Sequence, residues 1–342
     1  MKKILLIAAA CVVSMAAMSQ AAFVLNNTGS TQAFRSIDSA IAYAQSGDTL
    51  YLPGGTYNSN TIIINKKLTI FGAGHYPDST IATGRTVLNC SMVFIDGASL
   101  SVLQGVYLAG NINMGSNATN SNVNGIIISR CNFNDITFSF NGAAVSLASN
   151  LLIRENVIRN DLTLNNAKDN LIENNIIDGR INAANGSNTF VNNVVFGRAG
   201  ASGYSINSVF SCVFENNIFC NTASYGLLGN STANTFRNNV FLFPNQLGGG
   251  DVSEQNLFSV PDPFVNKNLT IFSYTQNFHL TPSSVAATAG KGGTACGIYG
   301  GVRPYKESAV PLNPHIRAAN IAANTDNTGQ IQVQVTVAAQ QQ

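Results

Sequence analysis

Apolar residues recur through the middle of the chain at fixed positions around a repeated asparagine. One apolar side chain stands three residues before this asparagine and another directly after it, with mostly polar residues between them. The successive copies are Asn156, Asn175, Asn193, Asn217 and Asn239, with weaker copies on either side at Asn132 and Asn256. A period of about 20 residues, with one small structural unit in each repeat, is typical of a solenoid.

The two apolar columns predict which kind of solenoid this is. The column three residues before the asparagine contains Ile153, Ile172, Phe190, Phe214 and Phe236. The column directly after it contains Val157, Ile176, Val194, Ile218 and Val240. Because side chains alternate between the two faces of a strand, we expect short strands with both columns facing inward. No amphipathic helical stretch lies between the repeats, so the pattern favours a parallel β-helix, whose coils lie about 4.8 Å apart.

The asparagines are predicted to form a structural ladder at a corner of each coil. Asparagine tolerates the left-handed backbone conformation that a sharp corner needs. Its side chain can also hydrogen-bond to the equivalent side chain on the next coil. An asparagine-rich disordered segment is the alternative, and the strict phase between the asparagines and the apolar columns disfavours it. We therefore expect the series from Asn132 to Asn239 to serve structure rather than ligand binding.

The segment before the repeats predicts a cap for the solenoid. Residues 33–45 place apolar side chains on one face at helical spacing, which predicts a short helix. Such a helix would cover the open end of the solenoid, where apolar core and unpaired strand edges are otherwise exposed. Short strands are expected to follow at residues 49–52, 61–64 and 68–71.

A strand is also predicted near the C terminus. Ile331, Val333, Val335 and Val337 alternate with polar residues. This alternation predicts a half-buried strand over residues 330–337, which covers the other end of the solenoid or pairs beside it. The expected organisation is a β-helix over residues 22–303 and a tail over residues 304–342.

The N-terminal residues 1–21 have the layout of a secretory signal peptide. Two lysines precede an apolar run over residues 4–13, and small residues lead to a cleavage site expected near residues 21 and 22. Acylation of Cys11, as in a lipoprotein, is the alternative. The three alanines before Cys11 and the apolar run beyond it disfavour that alternative. No other stretch is long and apolar enough to span a membrane, so we expect a secreted, periplasmic or cell-surface protein.

The net charge and the cysteine pattern argue against several classes of binding partner and of metal site. The net charge is +2 and only 10% of residues are charged, which argues against nucleic acid and anionic membranes as partners. The cysteines of the mature chain have irregular spacing and no CxxC pair, so thiol-bound metal is not expected. Cys212 fits a buried apolar position, and a disulfide between Cys212 and Cys220 is the alternative that the sequence leaves open.

Several segments resemble a known superfamily. Residues 34–57 and 68–74 look like the first two coils of the pectate-lyase-like right-handed parallel β-helix superfamily. Residues 278–284 and 296–301 are similar to the closing coil of exported bacterial β-helix proteins, many of them uncharacterised surface proteins. The resemblance implies an all-β fold, a right-handed parallel β-helix of about 10–12 coils. It implies little about activity, because one fold hosts many functions.

The motifs of the best-known enzymes in this superfamily are missing from the chain. Polygalacturonase-type hydrolases share an Asp-Asp pair and a His-Gly pair, and neither occurs here. Hydrolysis needs two carboxylates flanking the glycosidic bond, and the repeats offer no obvious pair on neighbouring coils. Pectate lyases use a carboxylate cluster for calcium with an Arg or Lys base, whereas the acids here are dispersed. The chain also lacks tryptophan for stacking on sugars.

A charged column is the best candidate for a glycan-facing surface. Its members, predicted to face outward two residues before the asparagine, are Arg130, Arg154, Glu173, Glu215 and Arg237. The favoured interpretation is cross-coil ion pairs, Arg154 with Glu173 and Glu215 with Arg237. The alternative is a strip that binds the carboxylate of an acidic sugar. A second polar set is expected to be solvated loop charge, namely Arg159, Asp161, Lys168, Asp169, Asp178 and Arg180.

Two functional hypotheses follow. The favoured one is an exported, non-catalytic β-helix that binds polysaccharide or serves as a structural or adhesive surface element. The second is a polysaccharide lyase or glycoside hydrolase with an unfamiliar active site. No metal site or cofactor is predicted, and calcium is expected only if the chain is a lyase.

Overall fold

The computed structural model describes residues 22–25, 29–116, 119–138, 147–165, 167–197, 203–221, 226–244, 247–267, 271–310, 312 and 314–339. The predicted signal peptide, with Cys11, lies outside the described residues. Among the residues that are described, no helix is both long and apolar enough to cross a membrane.

The described chain consists mainly of short strands. The first elements are β1 (Ala22–Leu25), β2 (Thr31–Phe34), α1 (Ile37–Tyr43), β3 (Thr49–Tyr51), β4 (Gly55–Ile64), β5 (Thr69–Phe71), β6 (Thr86–Phe94), β7 (Val102–Gln104), β8 (Tyr107–Leu108), β9 (Ile112–Met114), β10 (Ile127–Ser129), β11 (Asn132–Phe133) and β12 (Ile136–Phe138). The next are β13 (Leu152–Arg154), β14 (Val157–Ile158), β15 (Leu162–Thr163), β16 (Leu171–Glu173), β17 (Ile176–Ile177), β18 (Ile181–Asn182), β19 (Thr189–Val191), β20 (Val194–Val195), β21 (Tyr204–Asn207), β22 (Val213–Glu215), β23 (Ile218–Phe219) and β24 (Gly226–Gly229). The last are β25 (Thr235–Arg237), β26 (Val240–Phe241), β27 (Val252–Glu254), β28 (Phe264–Asn266), β29 (Asn277–Leu280), β30 (His315–Ile321) and β31 (Val333–Ala338). Short 3₁₀ turns occur at Asp78–Thr80, Val285–Ala287, Lys291–Gly293 and Glu307–Ala309.

These strands stack into three walls of a right-handed parallel β-helix. Wall 1 is part of a 12-stranded sheet in which β1 and β2 pair antiparallel at one edge, so ten parallel strands remain, from β3 to β27. Wall 2 contains β8, β11, β14, β17, β20, β23 and β26. Wall 3 contains β9, β12, β15, β18, β21 and β24. The longer strands β4 and β6 run along both walls 2 and 3. The predicted fold class is confirmed.

The predicted N-terminal helix forms as α1 and covers one end of the solenoid. Ser36 caps it, because its side chain accepts a hydrogen bond from the backbone N–H of Ser39. Ile37, Ala40 and Ile41 are buried in the same apolar cluster as the interior of the first coils. The helical spacing in the sequence therefore located the buried face of this helix correctly.

The two apolar columns of the repeat lie on opposite sides of the wall. Phe236 and its column are buried in the interior of the solenoid, as predicted. Val240 and its column are also buried, but in a second cluster outside wall 2, so the inward assignment of this column was wrong. A left-handed residue separates the two strands, and it shifts the alternation by one position. This residue is Asn238 in the coil of Phe236, with φ of 54°.

The left-handed corner lies one residue before its predicted position. Positive φ occurs at Asn192 (54°) and at its equivalents Asn174 and Asn216 (54° and 58°), rather than at Asn193. Asn193 instead points into the interior and hydrogen-bonds along the ladder. The two consecutive asparagines thus have different roles, one in the backbone turn and one in the side-chain ladder.

The interior ladder is a continuous chain of amide hydrogen bonds. The Oδ1 of Asn193 accepts from both the backbone N and the Nδ2 of Asn175, at 2.9 and 3.0 Å. The Nδ2 of Asn193 donates in turn to Asn217 and to the carbonyl oxygen of Ile172. The same pattern joins Asn156 to Asn175, Asn217 to Asn239 and Asn239 to Asn256. Buried polar groups are satisfied in this way at every coil of the series.

Asn132 lies outside this ladder, because the first repeat was aligned one residue too late. The backbone N of Cys131 donates to the Oδ1 of Asn156 at 3.0 Å, so Cys131 occupies the ladder position. Asn132 pairs in register with Val157, on the outer face of wall 2. Arg130 accordingly takes the left-handed corner, with φ of 54°, and Ser129 is the residue in register with Arg154.

A second asparagine ladder runs five residues before the first and was not predicted. Asn170 donates through its Nδ2 to the Oδ1 of Asn188, at 2.9 Å. The Oδ1 of Asn234 accepts from the backbone N of Cys212, at 3.0 Å. Left-handed residues precede this ladder as well, including Asp169 and Ala233. Both ends of β16 and of β25 are therefore held by a left-handed turn and an interior amide.

The left-handed corner at Ala233 gives a test of the backbone geometry. Ala233 is exposed and has φ of 59°, where β-branched residues are strained. We expect Ala233→Val to lower the free energy of unfolding by about 1–2 kcal/mol. Ala233→Gly should change it by less than about 0.5 kcal/mol, because relief of strain offsets the entropy of glycine. Urea unfolding of both variants is the measurement, and equal losses would contradict a left-handed backbone here.

A C-terminal arm covers the outer face of wall 2. This arm, residues 260–310, buries Phe264, Phe278 and Ile298 against the column that contains Val240. Cys212 lies in the interior core and Cys220 in this outer cluster, and both are free thiols. Burial raises the pKa of each to about 12, so they act as small apolar residues.

The predicted C-terminal strand forms, but it is exposed rather than half-buried. β31 pairs antiparallel with β30 in a two-stranded hairpin. Val333, Val335 and Val337 are 59%, 46% and 58% exposed. The alternation of the sequence correctly indicated a strand with one apolar face, and that face has no covering layer among the described residues.

Candidate functional site

A row of polar side chains runs along the outer face of wall 3. Its members, one from each of five successive coils, are Asn113, Thr137, Thr163, Asn182 and Asn207. They face outward because the residue before each of them is buried in the core, as Ile136 and Leu162 are. At about 4.8 Å a coil, the row spans roughly 19 Å. We call this set the polar row.

Hydroxyl and amide groups give the polar row a mixed hydrogen-bonding character. Thr163 and Asn207 are half-buried, so both residues are partly accessible at the surface. Asn182 lies deeper and donates through its Nδ2 to the Oδ2 of Asp161, at 3.1 Å. Its Oδ1 is buried and has no hydrogen-bond partner in the described part of the chain. Such an acceptor is costly unless a donor reaches it.

Two carboxylates on neighbouring coils flank the polar row, although no obvious pair was expected from the repeats. Asp135 and Asp161 directly precede β12 and β15 at equivalent positions. Burial raises the pKa of Asp135, and the nearby charge of Asp161 acts in the same direction. Asp161 receives the guanidinium of Arg180, whose Nε donates to its Oδ2 at 3.0 Å. Among the described residues, Asp135 and Asp161 are the only pair of carboxylates near the polar row that resembles a catalytic acid pair.

Both carboxylates also bind the backbone of the next coil. The Oδ1 of Asp135 accepts from the backbone N of Asp161 and from the Nδ2 of Asn160, at 3.0 and 2.9 Å. The Oδ1 of Asp161 accepts from the backbone N of Arg180, at 2.8 Å. These contacts repeat from coil to coil, as in the asparagine ladders. The arrangement therefore stabilises a third corner of the solenoid.

The charged column predicted from the sequence lies on the outer face of wall 1. Arg154 and Glu173 are in register on adjacent coils, and Glu215 and Arg237 are in register farther along. Val191 separates the two pairs. The predicted pair of Glu215 and Arg237 is replaced by other ion pairs. The Nε of Arg237 lies 2.9 Å from Glu254, and the Nζ of Lys291 lies 3.7 Å from Glu215.

Arg130 is not part of this column, because it is buried beneath the C-terminal arm. Its Nε donates to the Oε2 of Glu155 at 2.9 Å, and its Nη1 donates to the carbonyl oxygen of Val310 at 2.8 Å. The same Oε2 accepts from the backbone N of Lys306 at 3.1 Å. Arg130 and Glu155 therefore anchor the arm to the solenoid.

A basic cleft opens where the arm passes over wall 1. Its cavity measures about 350 Å³ and is lined by Arg130, Arg154, Glu155, Val302, Arg303, Pro304, Lys306 and Leu312. The carboxyl of Glu173 is close enough to interact with Arg154 and Arg303. Burial raises the pKa of Glu173, and these two cations oppose that effect. The structure thus joins Arg154 and Glu173 to arm residues that the sequence pattern did not single out.

An aromatic cluster holds another part of the arm. Asn132 donates through its Nδ2 to the Oη of Tyr274 at 2.9 Å, and His75 Nδ1 lies 3.1 Å from the same oxygen. Burial, with a smaller effect of Arg85, lowers the pKa of His75 to about 3. His75 is therefore neutral and buried at physiological pH. These contacts explain why Asn132, displaced from the ladder, still has a structural role.

The second polar set is more ordered than the sequence predicted. Arg159 lies over the ring of Tyr107, with 4.8 Å from its Cζ to the ring centroid. Asp178 accepts from the backbone N of Phe272 at 2.8 Å and so anchors the arm. Lys168 and Asp169 are exposed, as expected for solvated loop charge. Among the described residues, no group of three or more His, Cys, Asp or Glu side chains could hold a metal ion.

Comparison with known proteins identifies one family. The model of the family described as rhamnogalacturonase A/epimerase, pectate lyase-like, matches residues 21–251. This range includes wall 1 as far as β25, walls 2 and 3 and the polar row, but not β27 or the C-terminal arm. No curated protein and no solved structure matches the chain.

Proposed function

The chain belongs to the rhamnogalacturonase A/epimerase, pectate lyase-like family, and from this premise we propose an exported, non-catalytic glycan-binding β-helix whose polar row contacts the glycan. The polar row is the observation that carries the proposal. It offers a hydroxyl or an amide at each of five consecutive coils. Glycans present hydroxyl groups along their length, and side-chain amides and hydroxyls can both donate to and accept from them.

The centre of the polar row is the expected contact point. The Oδ1 of Asn182 has no partner within the described chain, and a sugar hydroxyl would supply the missing donor. Thr163 lies in register beside it on the preceding coil. Export is supported by the signal-peptide layout of residues 1–21, and an exported protein meets polysaccharide outside the cytoplasm.

The carboxylate contacts favour binding over catalysis. Asp135 and Asp161 each accept hydrogen bonds from the backbone of the next coil. Moving either group during a reaction would break a structural contact of the corner. The Asp-Asp and His-Gly pairs of polygalacturonase-type hydrolases are also missing from the sequence. The acid pair is therefore assigned to the stability of the solenoid.

The experiment is a glycan-array screen of the mature protein, coupled to an assay for released sugars. A double variant, Thr163→Ala with Asn182→Ala, should weaken binding of the selected glycan about tenfold or more, since two hydrogen bonds are lost. Thr189→Ala is the matched control, because Thr189 is also half-buried but lies on wall 1. This control should change the affinity by less than about twofold. Equal weakening by both variants would reject the polar row.

A glycoside hydrolase is the second candidate, and the environment of Asp135 is the specific observation in its favour. Its raised pKa suits a general acid, and Asp161, paired with Arg180, suits the partner carboxylate. Sugar release in the same assay, abolished by Asp161→Asn with glycan binding retained, would replace the binding proposal with this one. Without sugar release from any bound glycan, binding remains the function.

A further inference from the structure

The basic cleft carries an unbalanced positive charge. Its cations and the nearby carboxylates are Arg130, Arg154, Arg303 and Lys306, with Glu155 and Glu173. Among the side chains that the structure describes, four cations therefore face two carboxylates. The excess is notable in a chain with a net charge of only +2.

The hydrogen bonds of Glu155 do not neutralise this excess. Its Oε2 already accepts from Arg130 and from the backbone N of Lys306. Its Oε1 lies 4.0 Å from the Nε of Arg154, which is too long for a hydrogen bond. The Nε of Arg154 is buried and has no hydrogen-bond partner within the described chain. A buried donor on a cation is costly until an acceptor reaches it.

The members of the cleft differ in how firmly they are held. Arg130 is 2% exposed and fixed by Glu155 and Val310, so it forms a rigid floor. Arg303 is exposed at the rim. Both residues line a cavity of about 350 Å³, which is large enough for a small anionic group. The cleft therefore combines a buried, hydrogen-bonded cation with an exposed one.

We propose that the basic cleft is an oxyanion-binding site, which takes a carboxylate or sulfate group through Arg154 and Arg303. Guanidinium groups bind such planar or tetrahedral oxyanions by paired, charge-assisted hydrogen bonds. The site lies between wall 1 and the arm, on a different wall from the polar row. It therefore goes beyond the proposed glycan contact and does not depend on it. Occupation would link the arm to the solenoid at a second point beside the Arg130 anchor.

Isothermal titration calorimetry of the mature protein at fixed ionic strength tests the proposal. The probes are galacturonate, inorganic sulfate and neutral galactose. We expect galacturonate or sulfate to bind and galactose not to bind. Tighter binding of galacturonate would indicate a carboxylate ligand, and tighter binding of sulfate a sulfated one. Both results support the site, whereas no binding of either anion, or equal binding of galactose, would overturn it.

Charge-removing variants locate the binding. Arg154→Gln and Arg303→Gln should each weaken oxyanion binding about tenfold or more. Arg237→Gln is the control, because Arg237 lies on the same outer face four coils from Arg154 but outside the cleft. Its effect should be below about twofold, and an equal effect would show diffuse surface charge instead of a site. Arg303 is exposed, so its variant remains informative if Arg154→Gln fails to fold. Glycan binding through the polar row should be unchanged in Arg303→Gln, which separates this proposal from the previous one.

Discussion

Phe236→Ala is expected to lower the free energy of unfolding by about 3–5 kcal/mol, as measured by urea unfolding. Phe236 is fully buried and stacks on Phe214, with ring centroids 4.8 Å apart. It also contacts the rings of Phe219 and Phe241 from wall 2. The solenoid coils on either side fix these neighbours, so they cannot collapse into the space that the ring leaves.

Thr235→Ala is the matched control for this truncation. Thr235 is adjacent in sequence, but it lies half-buried on the outer face of wall 1. Its loss should cost less than about 0.5 kcal/mol. Comparable losses from the two variants would mean that the register of wall 1 is wrong.

Asn193→Ala should lower the free energy of unfolding by about 3 kcal/mol or more. Removal of this side chain leaves the backbone N of Asn175 without an acceptor and the Nδ2 of Asn175 with only the carbonyl of Ile153 to donate to. The carbonyl of Ile172 also loses one of its donors. Each buried group that loses its partner costs about 1–3 kcal/mol. Urea unfolding monitored by circular dichroism measures the loss.

An exposed asparagine pair provides the control for the ladder. Asn89 donates through its Nδ2 to the Oδ1 of Asn58 at 3.0 Å, and both residues are exposed. Water replaces this bond in the variant, so Asn58→Ala should cost less than about 0.5 kcal/mol. If Asn58→Ala were as damaging as Asn193→Ala, burial would not explain the strength of the ladder.

The interior of the solenoid could be predicted because it depends on local periodicity. The columns of Phe236 and of the ladder asparagines repeat with the coil, and both are interior. The side chain of Val240 was wrongly predicted to face inward. Simple alternation of side chains does not account for the left-handed residue Asn238, which shifts the alternation by one position between the two strands. Val240 is also buried on the outside of wall 2 only because the C-terminal arm covers it. Contacts between residues that are distant in sequence leave no periodic pattern.

The wrong assignment of Arg130 to the charged column and of Asn132 to the asparagine ladder has a similar cause. The first repeat carries Cys131 at the ladder position, and alignment on asparagine moved the whole repeat by one residue. The hydrogen-bond partner of Cys131 reveals the register, but the sequence does not. A substitution within a ladder therefore misleads any alignment that relies on the ladder residue alone.

The polar row had a signal in the sequence that the asparagine repeat obscured. Each of its members ends a tripeptide of a polar residue, an apolar residue, and then threonine or asparagine. Examples are residues 135–137, 161–163 and 180–182. The intervals vary because coils differ in length, so these tripeptides form a second repeat with irregular spacing. The basic cleft had no comparable signal, since Arg303 and Arg154 lie far apart in the chain and meet only through the arm.

The most direct test of glycan binding by the polar row is a crystal structure of the mature protein with the glycan that the array selects. We expect glycan hydroxyl groups within hydrogen-bonding distance of Thr163 and of the Oδ1 of Asn182, with the chain of sugars along wall 3. A glycan on the outer face of wall 1, with the polar row empty, would contradict it.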